Sequence, residues 1–300
     1  MANPTPKARP KITPAPGRTE PPPTVSGRWL LTALSLCILV AAFCGYGALA
    51  LLFYQGQWQM LFHPTRAITT TPAHVGLPYN SIRFDVTEAG TPRLTGWWIP
   101  AAPQSAWAGD TILYLHGGRG DLSDCVPALA SLHALGINLF AIDYQGFGQS
   151  AGRHPTERLA TGDAIAAWTW LTDTRHISPS HIVVYGDDAG DVFAARLGLE
   201  FAPAGIILQN PNPPARQVFA ADARARILPL RLLQKEQLDP SADLARAHVP
   251  RLFLIVHGDP ARARQLFAVS SYAKQIYDLR TAPPSAVTET LRRFLDEVLH

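Results

Sequence analysis

Little in this chain can cross-link, and little of it carries charge. It has three cysteines in 300 residues. Cys37 and Cys44 fall in one apolar run, which leaves Cys125 alone in the remainder, so no disulfide framework can staple the body and cysteine usage does not indicate an oxidising compartment. Charged residues make up 16% of the chain, and 26 Lys+Arg against 23 Asp+Glu leave a net charge of +3. So small an excess excludes a nucleic-acid binder unless it is concentrated. It is concentrated: in residues 1–28, Lys7, Arg9, Lys11, Arg18 and Arg28 face Glu20 alone, and the remainder is close to neutral. The same stretch has almost no large apolar side chain and holds eight of the 27 prolines. It cannot bury enough surface to offset the entropy of ordering, and reads as a disordered basic, Pro-rich tail. Its prolines show no P-x-x-P spacing, which weakens an SH3-ligand reading.

Charge is missing altogether from Trp29 to Tyr54, where Thr32 and Ser35 are the only aliphatic hydroxyls. A bilayer needs about 20 apolar residues in a helix, so the run is long enough with some tilt. Trp29 at one end, and Tyr54 and Trp58 at the other, suit the headgroup belts. A cleaved signal peptide is the competing reading, because Ala48-Leu49-Ala50 resembles a cleavage site. Against it, the run continues through Leu51-Leu52-Phe53 and the region before it is long. Neither Cys37 nor Cys44 follows a lipobox. Residues 29–54 are therefore expected to be a retained signal anchor in the cell (plasma or inner) membrane. The cations ahead of it, with Arg66 the first after it, place the N-terminus in the cytoplasm and the main domain outside.

Residues 58–300 are long enough for one complete core. Ser81–Val86 and Leu94–Ile99 read as strands, the second ending in the paired Trp97 and Trp98. Thr111–His116, Ile137–Asp143, His181–Tyr185, Gly205–Leu208, Arg251–His257 and Lys274–Arg280 read as further short apolar strands. Helical spacing fills 123–135, 156–173 and 189–199, and Ala286–Leu299 is an amphipathic closing helix. Strands alternating with helices predict an α/β protein with a mostly parallel sheet covered on both faces.

The motifs at the strand ends are more specific. Leu115-His116-Gly117-Gly118, Asp143-Tyr144-Gln145-Gly146-Phe147-Gly148, the G-x-x-x-G turn Gly186–Gly190 and Val256-His257-Gly258-Asp259 stand in an order that resembles the α/β-hydrolase superfamily. Met60-Leu61-Phe62-His63-Pro64, Gly96-Trp97-Trp98-Ile99-Pro100, Leu228–Leu233 and Leu238-Asp239-Pro240 are similar to its membrane-anchored, serine-aminopeptidase-like branch. The resemblance implies an α/β-hydrolase fold over roughly 58–300, with residues 212–248 as a cap-like insertion.

It also implies a catalytic triad, and that triad is degenerate. The turn that should present a serine reads Gly186-Asp187-Asp188-Ala189-Gly190, with Asp188 in the nucleophile position. Some enzymes of this fold use aspartate there to form an ester, and carboxylates are legitimate nucleophiles. That ester needs a His-activated water, yet the loop after the last strand, Thr281-Ala282-Pro283-Pro284-Ser285, has no histidine. His257 belongs to a strand-end His-Gly pair that is structural in the family. The acid loop is short, with Ala261 near the usual acid position and Asp259 close by. Three losses together imply a site that no longer turns over, because a triad works as a unit. Backbone N–H groups near Gly118–Arg119 and at Ala189 are expected to keep an oxyanion-hole-like geometry that Asp188 itself can fill. His154 is a candidate for the cleft mouth, though a plain surface histidine suits it as well.

Asp187, Asp188 and Asp191 could be read as a cation site, but adjacent carboxylates on a turn point apart, so neither a metal nor a cofactor is expected. The expected partners are the bilayer through 29–54 and a small apolar ligand or a protein, with no nucleic acid. The functional expectation is a membrane-anchored, catalytically inactive α/β-hydrolase-family protein with a ligand- or partner-binding role. The alternatives are an active hydrolase of ester, epoxide or alkyl-halide type using Asp188, and a protein whose function lies in its tail.

Overall fold

The computed structural model describes residues 25–300, so most of the basic tail lies outside the described residues. Two compact units are present, the first ending at Leu49 and the second running Ala50–His300. The helix α1, Gly27–Gly56, supplies nearly all that is described of the first and is long and apolar enough to cross a membrane by length and composition. At 1.5 Å per residue it measures about 45 Å.

The last turns of α1 belong to the second unit, which thus takes in more than residues 58–300. Phe53 is buried and meets Phe219 edge-on at 5.5 Å. Gln57, also buried, donates from Nε2 to the Leu233 carbonyl at 3.1 Å and accepts the Lys235 N–H at 2.8 Å.

Eight strands form the central sheet: β1 (Asn80–Val86), β2 (Pro92–Ile99), β3 (Trp107–Leu115), β4 (Ile137–Asp143), β5 (Ile182–Asp187), β6 (Gly205–Gln209), β7 (Arg251–Ile255) and β8 (Lys274–Asp278). Their order across the sheet is β8-β7-β6-β5-β3-β4-β2-β1. β1 and β2 pair antiparallel, as do β2 and β4, and every other neighbour is parallel. The connecting helices are α2 (Leu122–His133), α3 (Glu157–Thr169), α4 (Gly190–Phe201), α5 (Ala261–Val269) and α6 (Pro284–Leu299).

Alternation along each strand sends side chains to both faces. Ile112 and Tyr114 of β3, with Trp97 of β2, join Val126 and Leu129 of α2 and Phe294 of α6 in one core. Trp98 points the other way and packs against Trp170 at 6.1 Å, as Phe140 does at 4.4 Å. Both faces are thus buried, which is why Ile137–Asp143 is apolar before Asp143 except at Asn138, whose Nδ2 donates to the Ala108 and Asp110 carbonyls at 2.8 and 2.7 Å.

Two elements differ from expectation. The helix expected over 156–173 ends as α at Thr169 and continues as a π turn over Trp170–Thr174, which lets Trp170 settle between Trp98 and Phe140. What reads as a shortened acid loop is the helix α5, with Pro260 as its N-cap residue and Asp259 just before it, whose Oδ1 accepts the Ala261 N–H at 2.9 Å. The stretch 212–248 does lie between β6 and β7 and holds the short helices Ala215–Ala220, Leu230–Leu233 and Ser241–Arg246.

Candidate functional site

Only two residues separate the end of β5 at Asp187 from the start of α4 at Gly190, so the chain turns sharply at Asp188. Its φ is 56°, in the left-handed region, where Asp is among the better-tolerated non-glycine residues. The turn runs through tight space. A Cβ on Gly190 would lie 2.0 Å from the Leu115 carbonyl oxygen, and one on Gly186 2.5 Å from that of Gly190. Both glycines are required by this geometry, and the Asp188 N–H is fixed by the Gln209 carbonyl at 2.9 Å.

Facing the turn is the loop after β3. The His116 ring is buried, its Nδ1 lies 2.7 Å from the Gly117 carbonyl, and burial lowers its pKa to about 4. It is a neutral structural group. The next residues form the backbone cradle: the Gly118 N–H donates to Asp188 Oδ2 at 3.3 Å. Burial raises the Asp188 pKa; the Gly118 amide opposes this, Asp187 adds to it, and the Ala189 amide and the Arg119 charge also oppose it. Gly118 and Ala189 thus meet Asp188 through their amides, whereas Arg119 acts on it through its charge and lines the cleft beside it.

Asp187 looks elsewhere. Tyr114 Oη donates to its Oδ2 at 3.2 Å and Gln209 Nε2 to its Oδ1 at 3.2 Å, while burial raises its pKa. Asp191 is buried, which holds its carboxyl well above the usual range against the pull of Arg262 and the Val192 amide. Asp187 and Asp188 therefore serve different partners, both Asp191 carboxyl oxygens are buried without a hydrogen bond among the described residues, and no group of three or more His, Cys, Asp or Glu side chains among those residues is placed to hold a metal.

A cleft of about 530 Å³ opens above Asp188, walled by Met60, Leu61, Val218 and Leu238 and floored by Arg119 and Asp187. An adjoining hollow of about 420 Å³ shares Asp188 and His257 with it. His257 is the residue that sequence reasoning set aside as structural. Asn210 Nδ2 donates to its Nε2 at 2.9 Å, and Asn210 Oδ1 accepts the Val256 and His257 N–H groups at 2.8 and 3.0 Å. The signal that could have found it is its place at the end of β7, since ligands collect beyond the carboxyl ends of parallel strands. His154 lies away from the cleft and stacks on Trp58 at 4.9 Å. Cys125 lines the cleft, but burial pushes its thiol far up and leaves it inert.

An eight-stranded sheet of this order, with a sharp strand-to-helix turn beyond β5, defines the α/β-hydrolase fold. Solved structures share it. An esterase of Pyrococcus furiosus superposes with a TM-score of 0.60 at 19% identity, covering 80% of this chain and 98% of its own. An alpha-beta hydrolase from Vibrio vulnificus gives 0.56 at 21% identity, over 76% of this chain and 82% of its own. In sequence, an uncharacterized protein of Mycobacterium tuberculosis is 27% identical over 272 residues, 87% of this chain and 94% of the relative. The human alpha/beta hydrolase domain-containing protein 17C is 32% identical over 133 residues, 44% of this chain and 39% of the relative. No family model matches the chain.

Proposed function

We propose that this chain is a single-pass membrane-anchored α/β-hydrolase-fold protein of the serine-aminopeptidase-like branch that has given up hydrolysis and binds a small amphipathic ligand above Asp188. One observation carries this reading: the Asp188 carboxylate takes the Gly118 N–H. A working acyl-transfer site keeps such donors free for the oxyanion that forms in the transition state. A carboxylate in that place both fills the donors and repels the developing charge. No serine hydroxyl stands at the turn, and no histidine stands between β8 and α6. The apolar α1 serves as the anchor, with the N-terminus in the cytoplasm and the main domain outside. Met60, Leu61, Val218 and Leu238 offer a ligand an apolar wall, and Arg119, Asp187 and Asp188 a polar floor.

The second reading is a hydrolase with Asp188 as nucleophile, favoured by His257 lining the same hollow. The carboxylate would displace halide or open an epoxide to form an ester, and water deprotonated by His257 would cleave it. Incubating the full chain in detergent micelles with alkyl bromides, epoxides and p-nitrophenyl esters separates the two. The proposal expects no turnover, with saturable binding of a fluorescent fatty-acid analogue. Steady turnover abolished by Asp188→Ala would overturn it, and a mass adduct on Asp188 would identify the nucleophile.

A further inference from the structure

The insertion between β6 and β7 is chemically lopsided. From Pro213 to Lys235 it carries Arg216, Arg224, Arg226, Arg231 and Lys235 against Asp222 alone. The Asp222 carboxylate is taken up by Arg224, whose Nε and Nη2 donate to it at 2.8 and 2.9 Å. The acidic side chains next to this stretch are engaged as well. Glu236 is buried and accepts the Glu157 N–H at 2.7 Å, while Glu157 accepts the Gln237 and Leu238 amides. Arg216, Arg226, Arg231 and Lys235 are exposed to solvent.

Among these cations stand two large apolar side chains, Ile227 at 59% and Leu232 at 83% exposure. Phe219, Leu228 and Leu238 are the large apolar side chains that the insertion and its margin bury. Its position is the second clue. Lys235 Nζ sits 3.5 Å from the centre of the Tyr54 ring, and Tyr54 closes the apolar run before Gln55-Gly56-Gln57. Arg224 lies 5.6 Å from the Phe53 ring and its Nη2 reaches Met60 Sδ at 3.7 Å. The insertion is thus seated on the few residues by which the apolar helix enters the body.

We propose that residues 213–235 form a second membrane contact, in which Ile227 and Leu232 enter the interface and the exposed cations engage anionic phospholipid headgroups. This rests on the reading of α1 as a membrane anchor. Apolar side chains ringed by Arg and Lys are the pattern of interfacial segments, and each cation held within a Debye length of an anionic surface adds attraction. Charge complementarity selects anionic lipid, and the anchor keeps the surface within reach. Val218 and Leu238 belong to the wall of the cleft, so docking would hold the cleft mouth at headgroup level.

The experiment uses the full chain in nanodiscs of phosphatidylcholine alone or of phosphatidylcholine with phosphatidylglycerol. A Leu232→Cys variant, in a Cys37→Ser/Cys44→Ser background, carries an environment-sensitive NBD label; a Leu39→Cys variant in the same background reports on the anchor. The expected result is a blue-shifted label at 232, quenched several-fold less by iodide in anionic discs than in neutral ones, with the difference abolished by Arg226→Glu/Arg231→Glu/Lys235→Glu. A label at 39 that is shielded while the one at 232 stays fully quenched in both discs overturns the docking surface and leaves the anchor standing. A label at 39 open to iodide overturns the anchor and the docking surface together. Equal protection at 232 in both discs overturns the assignment to anionic headgroups.

Discussion

Placing the Asp188 carboxylate over the oxyanion loop makes a demand on Gly117 that can be measured. A Cβ added there would fall 2.6 Å from Asp188 Oδ2, 2.8 Å from its Cβ and 3.1 Å from its Cγ. Gly117 has no positive φ, so its backbone accepts alanine. Overpacking of this kind costs about 1–3 kcal/mol, set against a gain of about 0.4–1 kcal/mol from a stiffer unfolded chain. Asp188→Gly removes the colliding atoms and suits the φ of 56° at that position. In that background Gly117→Ala should cost nothing or stabilise slightly, which gives a coupling energy of about 1–3 kcal/mol. Gly190→Ala is the control, because its Cβ meets the Leu115 carbonyl at 2.0 Å and not Asp188. It should destabilise equally in both backgrounds. The assay is urea unfolding of the full chain in detergent micelles, followed by tryptophan fluorescence. If Gly117→Ala costs the same with and without the Asp188 side chain, the carboxylate does not occupy the loop and the case for a blocked oxyanion site fails.

Two further predictions concern buried polar groups. Arg251 is fully buried, has no carboxylate partner among the described residues, and donates to the carbonyls of Val249 at 3.2 Å and of Leu244 and Ala247 at 2.5 Å. Arg251→Met should leave those carbonyls unpaired and cost about 2–4 kcal/mol, read as a lower urea midpoint; an unchanged midpoint would show that the guanidinium holds nothing. Burial raises the Asp143 carboxyl to about 7, partly opposed by the Leu122 N–H that donates to it at 3.0 Å. A carboxyl raised on folding gives stability that is full below its unfolded pKa near 4 and lost as pH rises through 7. Asp143→Asn should therefore gain on the parent between pH 4 and 7, by up to a shift on the order of 4 kcal/mol. His116, lowered to about 4, loses stability as pH falls, in the opposite sense; its Nε2 lies 3.8 Å from Asp143 Oδ1, so the two curves are compared above about pH 5, where this imidazole is neutral. Parallel stability–pH curves would refute the assignment.

The strands were legible because their signal is local. Leu139–Ile142 is buried on both faces and shows as an unbroken apolar run, and Gly186 and Gly190 show as a turn motif because no other residue fits there. The π turn at Trp170 was not legible, since its one extra residue answers to packing against Phe140 on a distant strand. Neither was α5, whose Ala-Arg-Ala-Arg start has little apolar periodicity and is secured by Asp259 and by Phe267 on Phe253 at 5.9 Å. The site divides in the same way. Asp188 can be found from its turn, but its bond to Gly118 joins loops 70 positions apart. His257 enters the cleft only because β6 and β7 are neighbours in register, with Gln209 opposite Leu254, so that Asn210 just beyond β6 can hold it. Read alone, the His-Gly pair is the end of a strand. Sheet order puts the ends of β3, β5, β6 and β7 side by side, and one buried carboxylate is then enough to decide whether the donors there await a substrate or are already taken.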